Sequence, residues 1–199
     1  VLNTKLSSLV HETQKERGAT AGYLGSKGEK FKTKLPNQRK NTDENLIVLE
    51  NELKILNLSS YPIEVQNNIK ESMNKIKKTL ALRTNIDALN IEAKKAIGAF
   101  TSMNAQFLDT ISLIAKLPKN VNSASSLSAF YNFLMSKERA GIERAVMANV
   151  FATDKFEDGS KQKFASLVTQ QDTFIKSFLS NANTKTKNFY KKTMQGSDI

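Results

Sequence analysis

A chain of 199 residues suffices for one domain with a sizeable buried core. Thirty Lys and Arg against nineteen Asp and Glu give a formal charge of +11, which favours anionic partners without choosing among them. Cysteine is absent, so disulfides, thiolate catalysis, iron–sulfur clusters and Cys-ligated zinc are excluded.

With 39% hydrophobic and 25% charged residues, the chain is too apolar for disorder and too polar for a membrane bundle. Three Pro and eight Gly leave few turn signals and point to long helices, an all-α class. No apolar window reaches the ~18 residues of a membrane span, and no signal sequence opens the chain. It begins at Val1 rather than Met, which suggests a segment cut from a longer protein whose flanks include membrane helices.

Residues 2–25 place Leu2, Leu6, Leu9, Val10, Ala21 and Leu24 at three- and four-residue steps, an amphipathic helix ended by Gly25-Ser26-Lys27-Gly28. A Lys-rich connection is expected through Lys40. Leu46, Leu49, Leu53 and Leu56 then repeat the pattern until Leu58 to Pro62 closes it. A third helix is predicted over residues 62–84 with Val65, Ile69, Met73, Ile76 and Leu80 on one face. In the fourth, Ile97, Phe100, Asn104, Phe107, Ile111 and Ile114 form a nearly unbroken seam that other helices must cover, until Leu117-Pro118 stops it. After a loop over residues 120–126 with capping Asn and Ser, a helix of some 40 Å is expected over residues 126–152. A turn over residues 154–159, a sixth helix carrying Phe164, Leu167, Phe174 and Phe178, and a Lys-rich seventh over residues 183–194 complete the chain. No alternating strand pattern occurs.

Lys15-Glu16-Arg17-Gly18-Ala19 recurs as Lys137-Glu138-Arg139-Ala140-Gly141, each inside a long helix, which suggests an ancient duplication. Arg17 lies seven residues after Val10 and seven before Leu24, so it shares the apolar face. Arg139 stands in the same relation to Met135, Ile142 and Val146. An inward arginine needs a negative partner. Only five basic residues are Arg, and a guanidinium's planar fork matches a carboxylate or trigonal oxyanion as Lys does not. Arg17 and Arg139 are therefore candidate anion ligands. The alternative is an internal ion pair with Glu12, Glu16, Asp43, Asp87, Glu138 or Glu143 holding helices in register.

Catalytic signals fail individually. His11-Glu12 would open a zinc-protease helix, but position 15 is Lys and no second His exists. No nucleophile elbow accompanies any Ser, and the glycines of residues 22–28 lack phosphate-loop spacing and a preceding strand. Asp154, Glu157 and Asp158 fall in a turn, where caps are the ordinary explanation. No enzyme, metal or cofactor is expected. Two non-enzymatic alternatives stay open: a helical scaffold sensing through a protein partner, and a basic nucleic-acid-binding domain, although the Lys residues are scattered and no recognition helix appears.

Residues 9–24, then Phe31, Leu35, Gln38-Arg39 and Thr42-Asp43, resemble the opening of the nitrate- and nitrite-sensing (NIT) domain family. Residues 137–145, then Ala148-Asn149, Phe151-Ala152, Asp154, Phe156, Gly159, Phe164, Leu167-Val168 and Gln171-Asp172, are similar to its second motif. Leu80, Leu82-Arg83 and Asp87 fit between them, so the resemblance covers nearly the whole chain as one sensor domain, with motifs at residues 9–43 and 137–172. It implies two up-down four-helix bundles sharing long helices. It also implies nitrate, nitrite or a similar small anion held between Arg17 and Arg139. Arg144 is expected on a different side, in a structural pair. The resemblance further implies a bacterial chemoreceptor sensor, periplasmic, homodimeric and anchored through flanking membrane helices, with no nucleic acid bound. A cytoplasmic antitermination regulator is the alternative.

Overall fold

The computed structural model describes residues 1–118, 120–153, 155–156 and 158–195, the side chains of 149, 152 and 153 excepted. Among the described residues the apolar steps of the sequence become the buried stripes of α-helices, and no strand occurs. α1 (Leu2–Gly25) buries Leu2, Leu6, Leu9 and Val10, with Thr13, Gln14, Glu16 and Arg17 continuing that face inward. Its end at Gly25 is an ordinary helix terminus: Lys27 and Gly28 both take positive φ, and the Ser26 hydroxyl accepts the Lys30 N–H.

α2 (Lys34–Ile55) starts earlier than the Lys-rich connection suggests. Pro36 sits in its first turn, where a missing N–H costs nothing, so the proline does not delay the helix. A 3-10 turn (Leu58–Ser60) leads to α3 (Ile63–Leu80), which stops before Thr84 because the chain breaks at Ala81-Leu82 into a short α4 (Arg83–Asp87). α5 (Ala93–Ala115) carries the predicted seam, burying Phe100, Asn104, Phe107, Ile111 and Ile114. α6 (Val121–Thr153) begins five residues ahead of the expected start. The Asn120 side chain accepts the N–H groups of Asn122 and Ser123, so this cap starts the helix at once and no loop intervenes. α7 (Ser160–Asn181) follows Gly159, whose φ of 77° suits a residue without Cβ. Of the carboxylates expected in that turn, Asp154 and Glu157 lie outside the described residues. α8 (Thr184–Thr193) is capped by Asn183, which accepts the Thr186 N–H.

α1 packs on α2 and α5, and α3 packs on α5. Their shared core holds Leu6, Leu9, Leu49, Ile76, Phe100 and Phe107, all fully buried. α6 lies against both α1 and α5 and carries α7 on its other side. A second, smaller core gathers Ala129, Phe178 and Ala182 with Tyr190 of α8. There the Phe178 ring lies 5.4 Å from Phe133 and 5.2 Å from Tyr190. The helical-bundle reading with shared long helices therefore holds, α1 and α5 serving both sides.

α1 and α6 run in the same direction, since His11 meets Lys137 while Arg17 reaches Glu138 and Gly141. α5 runs opposite to α1, Thr13 meeting Asn104 and Arg17 meeting Thr101. No helix among the described residues is long and apolar enough to cross a membrane.

Candidate anion site at the junction of α1, α5 and α6

The two echoed segments pack against each other, which places Arg17 at the meeting point of three helices. Its side chain is 1% exposed, as its place on the apolar face predicts. The fork grips one carboxylate: Arg17 Nη1 donates to Glu138 Oε1 at 2.5 Å and Nη2 to Glu138 Oε2 at 3.3 Å. Nη1 also donates to the Thr101 hydroxyl at 3.1 Å, and Gln14 Nε2 donates to Glu138 Oε2 at 2.7 Å. Glu138, one of six carboxylates the sequence offers, is thus the partner, with its side chain 2% exposed.

Close approach is possible because α6 presents Gly141 one turn after Glu138. A Cβ there would stand 2.7 Å from Arg17 Nη2 and 3.8 Å from Arg144 Nη2. Arg144 thus departs from the expected structural pair on a different side. Its exposed guanidinium reaches the same glycine as Arg17, and it makes no ion pair among the described residues.

Arg139 is half-buried and points elsewhere. Its Nε donates to Gln170 Oε1 at 2.6 Å, and its guanidinium lies 5.6 Å from the Phe174 ring centre, both on α7. In this structure, therefore, Arg17 and Arg139 do not face one another. They are turned apart because position 138 takes the α1-facing place and position 139 lies about 100° further round the helix. The echo is asymmetric for a related reason. The carboxylate of α1 that would answer Arg139, Glu16, is held by Arg83 through two bonds of 2.8 Å. Burial alone would lower the pKa of Arg83, but the hydrogen bonds and charge of Glu16, followed by those of Asp43, outweigh it and raise the value. Arg39 completes this network, binding Asp87 at 2.7 Å and approaching Glu16 at 3.8 Å. Sequence reasoning did not pair these residues, although all of them stand within or between the two motifs.

The solvent side of the junction is also charged. Lys137 Nζ lies 2.6 Å from His11 Nδ1, and Glu12 takes Lys15 at 2.8 Å and Gln38 at 2.7 Å. Burial, then the Lys137 charge, hold the His11 pKa below its ordinary 6.5, so the ring is neutral and accepts from Lys137. An unfolded chain binds this proton more readily than the folded one. The stability contributed by neutral His11 is full above about pH 6.5 and is lost as pH falls towards the lower folded value. Thermal melts should show a fall in Tm on acidification below that point, and His11→Gln, whose amide oxygen still accepts from Lys137, should flatten it.

An apolar groove of about 430 Å³ between α6, α7 and α8 is lined by Phe133, Phe178, Phe189 and Tyr190. It carries no charged side chain and does not suit an anion. Among the described residues no cluster of three or more His, Asp or Glu could hold a metal ion.

The family model for nitrate and nitrite sensing matches residues 8–199, which include both echoed motifs and the Arg17–Glu138 contact. The chain belongs to the nitrate and nitrite sensing (NIT) family. The NIT domain here is similar to a nitrate regulatory protein of Klebsiella oxytoca, 30% identical over 98 residues, 49% of this chain and 25% of that protein. It is also similar to the solved structure of the NasR transcription antiterminator, with a TM-score of 0.92 and 26% identity over 98% of this chain and 53% of that one. The NIT chain thus spans about a quarter of one relative and half of the other.

Proposed function

We propose that this chain is the sensing module of a regulator that responds to nitrate, nitrite or a related small anion, with Arg17 and Arg139 as its binding residues. The observation that carries the reading is the Arg17 fork, buried where α1, α5 and α6 meet and aimed at α6. A guanidinium so placed offers two parallel donors to a planar anion in surroundings of low dielectric, where the interaction is strong. Arg139 is the second candidate because its guanidinium meets a glutamine oxygen and an aromatic face, lies within electrostatic reach of Tyr131, and makes no ion pair among the described residues. An anion shared by Arg17 and Arg139 favours an arrangement of α6 that brings the two guanidinia together. Binding then shifts the packing of α6 on α1 and α5 by its differential affinity for the two arrangements.

The names of the matched relatives, a transcription antiterminator and a nitrate regulatory protein, favour an output in gene regulation over a chemoreceptor with periplasmic placement and membrane flanks. In this reading, contact with nucleic acid belongs to parts of such proteins outside the matched span.

Calorimetric titration with nitrate, nitrite, chloride and small carboxylates tests the proposal. Saturable nitrate binding is expected in the wild type, lost in Arg17→Ala and weakened in Arg139→Ala. It should persist at raised ionic strength, where general phosphate binding by a basic surface falls steeply. A folded wild type that binds none of these anions overturns the sensing role.

A further inference from the structure

The carboxylate in the Arg17 fork has the features of a bound ligand. It is planar, singly charged and presents two oxygens, one to each Nη of Arg17, with a third bond from Gln14. It nevertheless belongs to the side chain of α6 that immediately precedes Arg139. We propose that Glu138 is a resident stand-in for the ligand: its carboxylate occupies the anion place on Arg17 and must be displaced by an external planar anion, so that Glu138 sets both the threshold concentration and the ligand shape of the sensor. This rests on the anion-sensing reading of Arg17.

Charge and space at the junction support the exchange. Lys137 lies within electrostatic reach of Glu12, Glu138, Arg144 and Lys15. Lys15 is paired with Glu12 and Arg17 with Glu138, which leaves Lys137 and Arg144 without an ion pair among the described residues. A second anion is therefore attracted to the junction before Glu138 leaves. The missing Cβ at Gly141 admits the Arg17 guanidinium, and the exposed Arg144 lies by the same glycine, giving an anion a cation to meet on its way in. Displacement frees Glu138 and with it the hold of α6 on α1, which is the event a sensor must report. Because the fork is set for a two-oxygen edge, nitrate, nitrite and formate should compete, whereas chloride supplies no such edge.

The test compares wild type, Glu138→Gln and Glu138→Ala by calorimetry and thermal unfolding in nitrate, formate and chloride at equal ionic strength, with Glu138→Ala/Arg17→Ala as the control. Expected are a nitrate affinity raised roughly tenfold or more in Glu138→Gln, and a low Tm in Glu138→Ala restored by nitrate or formate, not by chloride and not in the control. If Glu138→Ala fails to fold alone, recovery on refolding in formate but not in chloride supports the proposal equally. Should the wild type bind nitrate and both variants bind it no better, the inference falls while the sensing role stands. Should the wild type bind none of these anions while Glu138→Ala responds to formate or nitrate through Arg17, Glu138 is a fixed structural partner that no anion displaces, and the inference falls with the sensing role. No response in any variant overturns both.

Discussion

Replacing Arg17 with Met should cost about 3–5 kcal/mol, because it leaves the Glu138 carboxylate buried without its counter-charge. In a domain of this size each kcal/mol moves Tm by about 2–4 °C, so a fall of roughly 6–20 °C is expected. The Gln14 amide keeps its bond to Glu138 and offsets only a small part, since it carries no charge. The double variant Arg17→Met/Glu138→Leu should recover most of the loss, because it removes both desolvation penalties together. A differential melt of the two singles and the double measures the coupling. A Tm for Arg17→Met within a degree or two of wild type would show that the pair does not join α1 to α6. The double variant should be well folded and blind to nitrate, separating the role of the pair in stability from its role in recognition.

Phe107→Ala is the second large effect. Phe107 is fully buried on α5, the helix against which α1, α3 and α6 all pack, so the space it vacates is walled by several rigid elements and cannot collapse easily. A loss of about 3–5 kcal/mol is expected from the removed apolar area and the residual cavity together. Denaturant unfolding should show a lower midpoint with little change of slope. Phe189 on α8, 69% exposed, provides the contrast: its truncation should change stability by no more than about 0.5 kcal/mol.

Helix positions were legible wherever one face alone is buried. The seam of α5 and the stripe of α1 announce themselves by spacing, and from the α1 stripe follows the inward course of Arg17. Which carboxylate answers Arg17 was not legible, because spacing along one helix does not tell which second helix faces it, and six acidic residues met the chemical requirement. Arg139 shows a different limit. α6 is covered by α1 and α5 on one side and by α7 on the other, so its apolar residues spread around the helix, and neighbouring Met135, Ile142 and Val146 do not say which side an arginine takes. Arg144 escaped for the opposite reason: it nears Arg17 because α1 lies alongside and Arg17 enters the space that a Cβ at Gly141 would fill. The early starts of α2 and α6 turn on one proline whose missing N–H costs nothing in a first turn and on one asparagine cap that accepts two backbone N–H groups.

α6 is one unbroken rod of 33 residues, on the order of 50 Å at 1.5 Å per residue. Glu138 lies near its middle, and Phe133, which meets Phe178 beside Tyr190, sits five residues earlier on the same rod. A helix resists compression along its axis, so whatever slide or roll the rod undergoes where it touches α1 arrives undiminished at those three rings. The molecule in effect contains a crankshaft: at mid-length the rod is gripped by the Arg17–Glu138 charge pair, and little more than a turn away it is seated in an aromatic bearing that must repack to follow it.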